Sequence, residues 1–186
     1  MCFSFGVSLA TGVVSWVVSI TVLLKCHALR AEATHLLLFS SMQFADALLW
    51  RSKFERNSLN AATTSFLVPL LLSAQLLYNA FRVDHTLAYI AAAAYSVYIF
   101  VRSHGTYSTA ACGRWGSPVW AGHELSRMEL WVFVVLVTLP KWHLTVGGIV
   151  FVEVVRRLVC GGFGSMWCAL ACVFSVVLSV KCASQR

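Results

Sequence analysis

Charge is scarce in this chain of 186 residues: 14 Lys and Arg and 7 Asp and Glu make up 11% of it, under half the roughly 25% of an ordinary soluble domain. Hydrophobic residues make up 59% and mean hydropathy is +0.78. That balance excludes a typical soluble globule and points to the lipid bilayer as solvent and principal partner. The net charge of +7 does not signal nucleic acid, because the basic residues are scattered in ones, twos and threes between apolar runs. The sequence has no Asn-x-Ser/Thr acceptor, which leaves the compartment open, and no positive charge ahead of its first apolar run, which argues against a cleaved signal peptide. Seven cysteines are an odd number; some lie inside apolar runs and Cys26 and Cys182 just beyond the ends of others. This argues against a secreted disulfide framework.

A spanning helix needs about 20 mainly apolar residues, since its backbone polar groups must be satisfied within the segment. Seven runs qualify as candidates: residues 5–24, 34–50, 61–81, 85–101, 129–139, 144–155 and 165–180. The expected fold is therefore an all-α polytopic membrane bundle of about seven helices in a single domain, 1–186. The fifth and sixth runs are short, so five spans plus a re-entrant helix pair is the alternative. The interruption over 102–127 holds four glycines, Pro118, two tryptophans and two histidines; it reads as a structured or re-entrant loop. With seven spans, eight Lys and Arg fall on the side of the N-terminus and six on the other, too even a split to orient the chain. Ser8, Gly12, Ser15 and Ser19 recur at spacings of four, three and four on the first helix. That small-residue face should pack closely on another helix, with a homo-oligomer through it as a further option.

An ionisable group within a span costs at least ~2.5 kcal/mol and so demands a reason. Asp46 is the clearest case, with Gln43 and Trp50 on the same helical face: an acid, an amide and an indole N–H able to bind a proton, a cation or a polar ligand, or simply to lock helices together. Gln75 and Asn79, one turn apart, form a second polar face. Glu153 lies three and four residues before Arg156 and Arg157, the spacing of an ion pair. His104 and Tyr107 follow the fourth run, where the histidine is either a proton carrier or a wet interfacial side chain. Cys168 and Cys172 stand one turn apart without a histidine to match, so no metal site is read, and no pattern names a cofactor. Arg156 and Arg157 with the turn ending at Ser165 offer a weak place for a lipid phosphate. An up-and-down bundle gathers most of these groups at one leaflet as a polar vestibule.

Taken together, Met1-Cys2-Phe3-Ser4, Gln43-x-x-Asp46-x-x-x-Trp50, His104-x-x-Tyr107 and Ser165-Met166-Trp167-Cys168 resemble an uncharacterised family of small multi-pass membrane proteins of bacteria, with related-looking proteins in large DNA viruses and some protists. Family members have Glu where this chain has Asp46. The resemblance implies the architecture and directs attention to Cys2, Ser4, Trp167 and Cys168 beside the polar groups; it implies no reaction. The last run has no internal lysine for a retinal Schiff base, and no His-x-x-x-His helix of a membrane hydrolase occurs. Three classes remain. A transporter or channel for a proton, cation or small polar solute would use Asp46. A membrane enzyme or headgroup binder would use His104, Asp46, Arg156 and Arg157. A scaffold would use its polar groups only as glue. A buried acid without a recognisable nucleophile favours the first.

Overall fold

The computed structural model describes residues 4–110, 118–120, 126–158 and 166–185, those of 155–158 and 166–169 by their backbone alone. The chain is all-α apart from one two-residue ladder. Helix α1 (Phe5–Lys25) starts where the Ser4 hydroxyl accepts the Val7 N–H. Its Ser8, Gly12, Ser15 and Ser19 are buried, as their spacing predicts, while Val14 and Val17 on the other side are 58% and 59% exposed. The small face is spent within the chain: a Cβ on Gly12 would come within 3.1 Å of the Phe44 ring, and Ser175 donates to the Ser15 hydroxyl at 3.1 Å. That face is buried within the chain.

The second run forms two helices, α2 (Arg30–Ser40) and α3 (Met42–Arg51), with a bend at Ser41. The cause is local. Ser40 and Ser41 both turn their hydroxyls onto the Leu37 carbonyl, at 3.3 and 2.7 Å, back-bonding of a kind that bends helices. Trp16 then donates to the Ser41 hydroxyl at 3.2 Å. The third run, Ser58–Val83, is continuous over 26 residues but comprises α4 (Ser58–Ala62), a π turn (Thr63–Leu67) and α5 (Val68–Val83). The widened turn lies just ahead of Pro69, whose ring would otherwise crowd the carbonyl four residues earlier. Asp84, in the left-handed region at φ 52°, caps α5 through its N–H to the Ala80 carbonyl and turns the chain back into α6 (Thr86–Ser103).

Part of the long interruption is structured: β1 (Thr109–Ala110) pairs antiparallel with β2 (Pro118–Val119). Helix α7 (Arg127–Thr138) begins in a capping box of Ser126 and Glu129. A 3-10 turn at Leu139–Lys141 leads to α8 (His143–Leu158), and α9 (Met166–Ser184) ends the chain. Helix α1 packs on α2, α3 and α9; α5 pairs with α6 and carries α2 and α7; α8 lies against α7. Helix α1, the run Ser58–Val83 and α6 are long and apolar enough to cross a membrane. Helix α7, with 12 residues, rises only about 18 Å, short of the roughly 30 Å hydrocarbon core.

Cys26 and Cys182 are bonded across 156 residues, their Cα atoms 5.8 Å apart, tying the end of α1 to the end of α9. Among the described residues this is the one bridge. Breaking it with Cys26→Ser is expected to cost about 2–4 kcal/mol, seen as a lower unfolding midpoint. Alkylating the denatured, unreduced chain should leave both cysteines unlabelled, and labelling of both would count against the bridge.

Candidate functional site

Two antiparallel stretches bring the polar side chains together. Helices α2 and α3 carry Glu32, His35, Gln43, Asp46 and Trp50 at spacings that keep them near one face. Running the other way, α4, the π turn and α5 carry Asn60, Thr64, Gln75, Asn79 and Arg82, and α5 packs against both α2 and α3. Gln43, Asp46, Asn60, Thr64 and Gln75 are completely buried and Asn79 nearly so. The polar groups thus form an interior seam running between the two ends of the bundle.

At its centre, the Asp46 carboxylate accepts the Trp120 indole N–H at 2.9 Å. Trp120 follows β2, 74 residues away in sequence, and nothing in the sequence but its place in a polar loop marked it. Trp50 meets Phe54 edge-on at 5.1 Å. Gln75 bonds back to the Leu71 carbonyl at 3.2 Å, leaving its buried Oε1 without a partner. Asn79 acts as a link between helices, donating to the Val137 carbonyl of α7 at 2.9 Å.

The end bearing α3's C-terminus holds a network that sequence reasoning missed. Asn60 donates to the Ser108 carbonyl and accepts the Ser108 N–H, both at 2.9 Å, and accepts the Thr64 hydroxyl at 2.9 Å. Thr64 and Ser108 share a further hydrogen bond of 2.7 Å. Glu129 pairs with Arg102 at 2.6 Å and accepts from the Tyr98 hydroxyl. Glu153 pairs with Arg127 of α7 at 3.2 Å and accepts the Trp131 indole N–H at 3.0 Å. The acid therefore reaches a neighbouring helix, while the side chains of Arg156 and Arg157, its expected partners along its own helix, lie outside the described residues. His104 is exposed at the end of α6, whereas Asp46 is fully buried, which argues against an acid–base pair between them. Tyr107 lies under the Arg56 guanidinium, 5.8 Å from ring to charge.

At the opposite end Glu32 meets Lys141 at 3.0 Å and Arg82 at 3.8 Å. Burial pushes the Glu32 carboxyl up, but the Lys141 hydrogen bond, the backbone and the two cations outweigh it and hold the carboxyl below its ordinary range. A lowered acid adds stability above its unfolded value and loses it as pH falls through the folded one. The midpoint advantage of the native chain over Glu32→Gln should accordingly shrink on acidification below about pH 4.5. An unchanged gap in thermal melts down that range would refute the assignment.

Cys2 and Ser165 lie outside the described residues, as do the side chains of Arg156, Arg157, Trp167 and Cys168. Among the described residues no group of three His, Cys, Asp or Glu is arranged to hold a metal ion. A scan against protein-family models, a search of curated proteins and a search of solved structures each return no match to this chain.

Proposed function

We propose that this chain is an integral multi-pass membrane protein that passes a proton, a cation or a small polar solute along the buried seam containing Asp46. The observation carrying this reading is a completely buried carboxylate that accepts from a neutral indole donor, on a stretch of helix packed against another that carries buried amides and hydroxyls. A charge is costly in a span and tends to be kept where it handles an ion. The apolar belts exposed on the three long helices support the membrane setting: Leu87 and Val101 of α6 are 68% and 71% exposed.

The reading takes the chain as seven alternating segments, with α2 and α3 one bent crossing and α7 and α8 short; five crossings with α7 and α8 re-entrant is the variant of it. The Cys26–Cys182 bridge supports an oxidising compartment at its end of the bundle. The other end would then face the cytoplasm; the eight-to-six split of Lys and Arg is too even to add to that.

A scaffold is the second reading, favoured by the Asn60, Thr64 and Ser108 network, whose members satisfy one another without a ligand. The enzyme or headgroup-binding alternative depends on His104 acting with Asp46, and the exposure of one and burial of the other weigh against it. The deciding experiment is proton and cation flux in proteoliposomes for the native chain and Asp46→Asn. Flux above empty liposomes in the native chain alone supports the seam, and none in a folded native chain favours the scaffold.

A further inference from the structure

A cavity of about 540 Å³ opens between α2, α5, α7, α8 and α9, at the end of the bundle holding the Cys26–Cys182 bridge. Its size falls within the roughly 300–1,000 Å³ of small-molecule sites. The wall is apolar, built from Leu36, Phe39, Val134, Phe151 and Phe174. The mouth is cationic, because Arg82, Lys141 and Lys181 face the single carboxylate of Glu32. Glu32 already engages Arg82 and Lys141, and Lys181 enters no ion pair among the described residues. One turn inside the mouth, His35 also lines the cavity, with a buried Nδ1 that has no hydrogen-bond partner. An apolar chamber below an excess of positive charge, with an unused imidazole nitrogen between the two, is complementary to one chemistry: a hydrocarbon chain ending in an anion.

We propose that this cavity binds a single long-chain fatty acid. Its chain would lie between α2, α8 and α9, and its carboxylate would sit at the mouth on Arg82, Lys141 and Lys181. One cavity of this volume suits one chain, which favours a free fatty acid over a two-chain phospholipid. A monoanion answers the surplus positive charge left after Glu32. Burying the chain supplies the affinity, while the cations select the charged head. The site lies at the end of the seam remote from Asp46, and it neither requires nor implies transport through that residue.

Gly147 provides a clean test. It lines the cavity, and a Cβ built there meets nothing within 4 Å, so Gly147→Phe should fill the chamber without forcing the helices apart. Binding of labelled palmitate to the purified full-length chain in a neutral sugar detergent would be measured, with cetyl alcohol and phosphatidylglycerol as competitors. The expected result is saturable one-to-one binding that Gly147→Phe abolishes and Lys181→Glu weakens about tenfold, roughly one charge interaction in a partly wet site. Unchanged thermal melts would establish that both variants are folded. The alcohol, with the same chain and no charge, should compete at least tenfold less well than palmitate. The absence of saturable binding would overturn the proposal, and so would equal competition by the alcohol or undiminished binding to folded Gly147→Phe. Tighter binding of phosphatidylglycerol than of palmitate would overturn the assignment to a free fatty acid. Flux through Asp46 is not a readout here, so either idea can fail without the other.

Discussion

Asp46→Asn is expected to reduce flux in proteoliposomes to the level of empty vesicles while leaving the protein folded. The substitution keeps the shape of the side chain and an oxygen that can accept the Trp120 indole N–H, now 2.9 Å from Oδ1. It removes the charge and the ability to exchange a proton. If the residue only locked helices, the amide would serve as well as the acid, because polar pairs between membrane helices do not require a charge. A carrier of protons or cations has no such substitute. Trp120→Phe separates the two roles further, since it leaves the carboxylate but removes the indole donor, at a cost of about 1–3 kcal/mol for a lost hydrogen bond to a buried acid. That variant should unfold more easily yet retain some flux. Full flux in Asp46→Asn would refute a path through this residue, whatever the Trp120 variant did.

Asn60→Ala should be the most destabilising single change at the other polar centre, by about 2–4 kcal/mol. Asn60 is completely buried, and its carboxamide holds the Ser108 carbonyl and N–H, the Glu55 carbonyl and the Thr64 hydroxyl. Deleting it removes the amide donor to the buried Ser108 carbonyl, whereas the Ser108 N–H still reaches the Thr64 hydroxyl at 3.0 Å. A loss of this size is a large share of the roughly 5–15 kcal/mol that separates folded from unfolded chains. Thr64→Val should cost less, because the direct bonds between Asn60 and Ser108 survive it. Denaturant unfolding would supply both values, and limited proteolysis should show faster cutting near Ser108 in the Asn60 variant. An unaltered midpoint for Asn60→Ala would mean that this network does not anchor the segment after α6, and the scaffold reading would lose its support.

The apolar runs by themselves determined that the chain folds as helices and, to within a few residues, where those helices lie. The signals are local ones: Ser4 capping α1, Ser126 and Glu129 forming a capping box, and Asp84 and His85 turning α5 into α6. The small face of α1 was legible for the same reason, because residues three and four apart share a side of a helix. Even the bend at Ser41 had a local cause, two adjacent serines competing for one carbonyl.

Only the tertiary structure decided which partner each polar group takes. Glu153 has arginines at ion-pair spacing on its own helix, whose side chains lie outside the described residues, and it also reaches Arg127 of α7. Asp46 meets an indole 74 residues away, Asn60 a serine 48 residues away, and Cys26 a cysteine 156 residues away. Periodicity reports the side of a helix on which a residue lies and nothing about which helix comes to rest against that side. In a bundle of mutually apolar faces, that choice is set by how small residues, bends and loop lengths let the helices approach. The cavity lined by Arg82, Lys141 and Lys181 follows the same rule: its cations come from the end of α5, the 3-10 turn before α8 and the end of α9, far apart in sequence.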